Sequence, residues 1–203
     1  MIPNFKAHPW HGISAGQNAP EVVQVYVEIV PSDTIKYEVD KESGYLKIDR
    51  PQKFSNIIPA LYGFIPRTYC DEGVKKLAVE SGSEDVSSGD HDPLDILVLS
   101  SHNIHAGNFL MDAIPIGGFK MIDKGEADDK IVAVMVGDQS YGHFRDISEL
   151  PAAEINRLQH YFLTYKNLPT ETSKCRIDLV YGADHAREVV VASQKDYAAR
   201  FGG

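Results

Sequence analysis

The chain has 203 residues, 43% hydrophobic and 24% charged, a balance that fits one folded domain with a sizeable core and excludes a disordered or fibrous polymer. Its 29 acidic against 20 basic residues leave a formal net charge of −9, which argues against a general nucleic-acid or membrane-surface binder and suits a protein that collects cations. Cys70 and Cys175 are too few for a disulfide framework and lack the paired spacing of a zinc site, so reduced thiols in a cytoplasmic setting are expected.

From the N-terminus, Met1 to Trp10 has no apolar run of the kind that opens a secretory signal and reads as unstructured, with His8 and His11 as surface histidines. Val22 to Ile29 is dense in Val and Tyr and reads as a strand. Thr34 to Asp40 alternates strictly, Ile35, Tyr37 and Val39 against Lys36, Glu38 and Asp40, and reads as a second strand with Lys36 and Glu38 on one face. Turn chemistry at Lys41-Glu42-Ser43-Gly44 and a strand from Tyr45 to Asp49, stopped at Arg50-Pro51, complete a hairpin. Asp71 to Gly89, with Gly, four Ser and scattered charge, reads as a surface insertion in which only Leu77-Ala78-Val79 suggests a strand.

Strands are expected at Leu94 to Leu99, Ala113 to Ile122, Ile131 to Val136 and Arg176 to Tyr181, a frequency that suggests a barrel. Ile131 to Val136, the longest apolar run, is far too short to span a bilayer. Helices are expected only in the second half. One starts at Pro151 and carries Ile155, Leu158, Phe162 and Tyr165 on one face to about Asn167, and another runs from Asp184 to Arg200. The fold class is therefore α+β, mainly β, a single domain over 1–203 with two main helices.

Asp90-His91-Asp92-Pro93-Leu94-Asp95 packs three carboxylates into six residues ahead of an apolar strand. Two like charges ~4 Å apart near a protein surface cost about 4 kcal/mol at an effective dielectric of about 20. A hard divalent cation removes that cost, and Mg²⁺ prefers oxygen ligands. A second acidic connection holds Asp123 and Asp128. If both connections open at one end of the barrel, five aspartates converge, with Lys36, Arg50, Lys130 and Lys166 as candidate phosphate partners across a cleft. Each piece also has a plainer reading: a solvated turn at Asp90-His91-Asp92, a salt-bridged strand face at Lys36 and Glu38, and helix-face packing for Tyr165.

Taken in order, Glu28, Ile35-Lys36-Tyr37-Glu38, Asp49-Arg50, Tyr62-Gly63, Asp90 to Asp95, Lys120-Met121-Ile122-Asp123, Asp128-Asp129-Lys130 and Tyr165-Lys166 resemble the motif series of soluble family I inorganic pyrophosphatases. The resemblance spans about Val22 to Leu168. It implies a small closed β-barrel of the OB type and Mg²⁺-dependent hydrolysis of diphosphate to two orthophosphates without a covalent intermediate, several ions serving each site. It implies Asp90, Asp95, Asp123 and Asp128 as metal ligands, and Asp92 as the acceptor of the attacking water's proton. Tyr165 then has a part in catalysis and, with Lys36, Arg50, Lys130 and Lys166, holds the phosphoryl groups. Glu28, Glu38 and Tyr62 fall in the outer shell. A homo-oligomer is implied too, hexameric in bacterial members, with no nucleic-acid or membrane partner. One departure stands out: Ile58 occupies a position where bacterial members commonly have tyrosine. Two other readings stay open, a hydrolase of a different phosphoanhydride and a silent OB-type binding module.

Overall fold

A computed structural model describes residues 6–168 and 170–202. In chain order the elements are β1 (Val23–Ile29), β2 (Ile35–Val39), β3 (Leu46–Pro51), β4 (Leu61–Phe64), α1 (Glu72–Glu80), β5 (Ser88–Gly89) and β6 (Asp95–Leu99). Then come β7 (Phe109–Asp123), β8 (Glu126–Ala127), β9 (Lys130–Met135), α2 (Ala152–Thr164), β10 (Cys175–Gly182) and α3 (Ala183–Phe201).

Five strands form a barrel-like ring. β1 pairs with β4, β4 with β6, β6 with β9, β9 with β7, and β7 returns to β1. Every pairing in the ring is antiparallel except β6 with β9. The apolar runs in β6 and β9 follow from burial on both faces. Ile96, Val98, Ile131 and Ala133 join a core cluster shared with α1 and α3, whereas Leu97, Leu99, Val132 and Val134 join one shared with α2. Ring closure demands a close approach at Gly63 in β4, where a Cβ would stand 1.8 Å from the Tyr26 carbonyl oxygen of β1. The hairpin β2–β3 forms a separate two-stranded sheet.

Three expectations need correction. The segment 71–89 is no plain surface excursion and helices are not confined to the second half, because α1 buries Val74 and Ala78 in the core cluster shared with α3. Asp196 of α3 accepts from the N–H groups of Asp71, Gly73 and Val74 at 2.9–3.2 Å. At the other end of α1, Lys120 Nζ donates to the Ser81 carbonyl at 2.7 Å. A carboxylate at the N-terminus and an ammonium at the C-terminus of a helix match its dipole. The strand at 109–123 begins before Ala113 and bends at Pro115–Gly117, where its register shifts. Residues 8–11 are at least partly packed, with Trp10 only 4% exposed and His11 Nδ1 2.7 Å from the Tyr197 hydroxyl.

Candidate active site

Asp95 opens β6 and Lys130 opens β9, and the parallel register sets them side by side. The connections before both strands therefore do open at the same end of the ring. Lys130, 2% exposed, donates to Asp95 Oδ2 at 2.5 Å and also to Asp128 Oδ1. Tyr62, carried by β4 next to β6, donates its hydroxyl to the same Asp95 oxygen at 2.5 Å. Asp90 neighbours Asp128, and its Oδ1 accepts from the Asp92 N–H at 3.1 Å. His91 between them has φ +61°, in the left-handed region where a non-glycine residue needs outside support. That support comes from Cys70, whose carbonyl accepts the His91 N–H at 3.0 Å and whose N–H donates to the Asp92 carbonyl at 2.9 Å.

The hairpin supplies the facing wall. Strand alternation puts Lys36 and Glu38 on one side, their charged groups 3.4 Å apart, and Lys36 reaches Asp49 at 2.9 Å. Glu28 Oε1, on β1, accepts the Val39 N–H at 2.6 Å and so ties the hairpin to the ring. A third side is the C-terminal end of α2. Arg50 lies 5.7 Å from the Tyr165 ring centre and Lys166 Nζ 5.1 Å from it, and Lys166 donates to Asp123 Oδ2 at 2.6 Å. Glu28, Lys36, Glu38, Tyr62, Asp92 and Asp95 all line one cleft.

The five aspartates do not form a single cage. Asp90, Asp95 and Asp128 gather around Lys130, Asp92 is ion-paired with Lys41, and Asp123 is held by Lys166. Among the described residues no three His, Cys, Asp or Glu side chains stand as a ready-made metal site. Lys41 and Trp10 also line the cleft and were not singled out from the sequence. Lys41 read only as a turn residue and Trp10 lay in a stretch without periodicity, so neither carried a local signal.

The electrostatics are those of a site short of positive charge. Loss of water pushes the Asp90 carboxyl well above the usual range, with Asp128 adding to it, and Asp128 is raised by its own desolvation against the opposing pull of Lys130. Burial raises Glu28 to about 8. Burial disfavours the Lys130 ammonium, yet Asp128, Asp95 and Asp90 outweigh it and hold the group charged. Tyr62 is raised by burial and then by Asp95. Asp123 is lowered, since Lys166 outweighs its desolvation, and its Oδ1 is buried with no hydrogen-bond partner. Carboxylates whose charge is disfavoured by burial and by one another, and an orphaned carboxylate oxygen, make a donor set that fits a hard divalent ion.

A family model described as inorganic pyrophosphatase matches residues 25–198. The inorganic pyrophosphatase of Chlamydia muridarum (strain MoPn / Nigg) is 46% identical over 199 residues, 96% of this chain and 95% of that protein. The soluble inorganic pyrophosphatase of Zea mays is 39% identical over 95% of this chain and 80% of its own length. Among solved structures, an inorganic pyrophosphatase from Thermus thermophilus superposes with a TM-score of 0.77 at 29% identity, covering 94% of this chain and 99% of that one.

Proposed function

The chain belongs to the inorganic pyrophosphatase family and hydrolyses diphosphate to two orthophosphates, and we propose that it does so in this cleft with Mg²⁺ as its divalent cation. The observation that carries the reading is the ring of Asp90, Asp95 and Asp128 about buried Lys130, facing a hairpin that presents Lys36 and Arg50. Acids able to hold cations opposite bases able to hold an anion suit phosphoryl transfer, where charge on the phosphoryl oxygens must be neutralised as the bridging bond breaks.

In this reading Asp90, Asp95, Asp123 and Asp128 would hold the cations. Once bound, those ions supply charge neutralisation and lower the proton affinity of water. Asp92, freed from Lys41, takes the proton of the attacking water, whose oxygen bonds to one phosphorus while the bridging oxygen leaves with the other phosphate. No enzyme–phosphate intermediate is needed. Lys36, Arg50, Lys130 and Lys166 neutralise the two phosphoryl groups, and Tyr165 contributes its hydroxyl. Glu28 and Tyr62 position these groups, Glu28 through the Val39 N–H and Tyr62 through Asp95, while Glu38 neighbours Lys36.

We further propose a cytoplasmic homo-oligomer. Both cysteines are free and buried, as suits a reducing compartment, and no helix among the described residues is long and apolar enough to cross a membrane. Exposed Tyr45, Ile48, Phe54 and Ile57 supply apolar surface that self-association would cover.

The test is steady-state orthophosphate release with Mg²⁺, from diphosphate and from ATP. The wild type is expected to prefer diphosphate, and Asp92→Asn and Asp95→Asn to lose about 10²-fold or more in kcat with unchanged circular dichroism. Retained turnover in both variants removes the assignment of these residues.

A further inference from the structure

The N-terminal segment joins the two walls of the cleft, and none of the roles above uses it. Trp10, the only tryptophan in the chain, lines the cleft together with Asp92, Pro93 and Asp95. Its indole N–H donates to the Thr68 carbonyl at 2.8 Å, and its own carbonyl accepts the Arg67 N–H at 2.9 Å. Thr68 in turn holds the acidic turn, because its hydroxyl oxygen accepts the Leu94 N–H at 2.9 Å while donating to the Ile65 carbonyl at 2.6 Å. Two residues along, Cys70 makes the bonds to His91 and Asp92 already described. Trp10 therefore grips the backbone that grips residues 91–94.

On the other side, His8 Nδ1 accepts the Trp10 N–H at 3.1 Å, which leaves Nε2 as the donor to the Lys41 carbonyl at 3.2 Å in the β2–β3 turn. That hairpin shares no ladder with the ring, so its distance from the carboxylates depends on side-chain ties such as this one. The segment itself is anchored at the far end of α3, through the His11 contact with the Tyr197 hydroxyl and the edge-on packing of Trp10 against Phe201 at 5.4 Å.

We propose that Trp10 is a positioning residue for diphosphate hydrolysis: with His8 it holds the acidic turn and the lysine-bearing hairpin at their working separation. The inference rests on the cleft being the active site. Small displacements of groups that must meet one substrate are costly, since about 1 Å of misplacement can cost 10²-fold in rate. An aromatic residue that only filled the core would not respond to what occupies the cleft.

Two measurements test it. In the wild type, where tryptophan emission comes from Trp10 alone, titration with Mg²⁺ and methylenediphosphonate should shift or quench the emission to saturation. In Trp10→Phe, which keeps an aromatic ring and deletes the N–H to Thr68, KM for diphosphate should rise about tenfold with a smaller fall in kcat, and His8→Ala should show the same split. Loss of thermal stability alone, with KM and kcat within twofold of wild type, overturns the proposal, as does emission indifferent to the ligand. The underlying reading fails differently, through full turnover in Asp92→Asn and Asp95→Asn.

Discussion

Asp138 shows how a single carboxylate can be worth more to the fold than to the chemistry. It is 4% exposed and accepts from the N–H groups of Ser101, Ser140 and Tyr141 at 2.7–2.8 Å and from the Ser100 hydroxyl at 3.0 Å. Desolvation opposes its charge, but these donors win and hold its carboxyl well below the usual range. A depressed folded-state value contributes stability that is complete above the unfolded carboxylate value of about 3.9 and is lost as pH falls through and below it. Asp138→Asn is expected to cost about 2 kcal/mol near neutral pH, and the gap from wild type should narrow on acidification, as urea melts across pH 3–7 would reveal. A constant gap would assign the cost to packing. Ile58 belongs to the same scale. It is 1% exposed in the core cluster beside α2, so an apolar side chain suits this position.

At the scale of elements, α1 is the informative case. It has no side-chain cap of its own at Asp71, and its N-terminal N–H groups are satisfied by Asp196, more than 120 residues later. Asp196→Ala should leave those donors without their carboxylate and cost about 1–2 kcal/mol, read as a lower urea midpoint with an unchanged slope. A midpoint equal to wild type would show that water replaces the cap. Gly73 is part of the same device, since a Cβ there would stand 2.7 Å from Asp196 Oδ1. This explains why the helix was illegible in the sequence. Val74, Leu77 and Ala78 are at helical spacing, but the cap that starts the helix is non-local and Ser and Gly flank its end. β4 was hidden for another reason: Gly63 reads as a strand breaker until the ring closes on it. Strands with strict alternation or continuous apolar runs, β1, β2, β6 and β9, were legible because burial on one or both faces leaves a local pattern. Of the site, the acidic turn stood out by its crowding of carboxylates, whereas the hairpin lysine drew its weight from the resemblance alone. The partners of Asp92 and the role of residues 8–11 were not legible, since Lys41 and Thr68 meet them only through tertiary folding.

At the scale of the molecule, the fold places a separate two-stranded hairpin over one end of a barrel-like ring, and carboxylates and lysines crowd together where the two meet. Lysines meet the negative charge there: Lys130 on Asp95 and Asp128, Lys41 on Asp92, Lys166 on Asp123. Diphosphate itself is an anion, so the cleft can take it only when further positive charge enters with it. Hydrolysis of diphosphate in this cleft, with Mg²⁺ held by its aspartates, is tested most directly by orthophosphate release after exhaustive chelation and then on titration with Mg²⁺. The stripped wild type should release none, Mg²⁺ should restore turnover saturably, and Asp95→Asn should show no recovery over the same range. Turnover that survives chelation, or that Mg²⁺ restores equally to Asp95→Asn, would contradict this assignment.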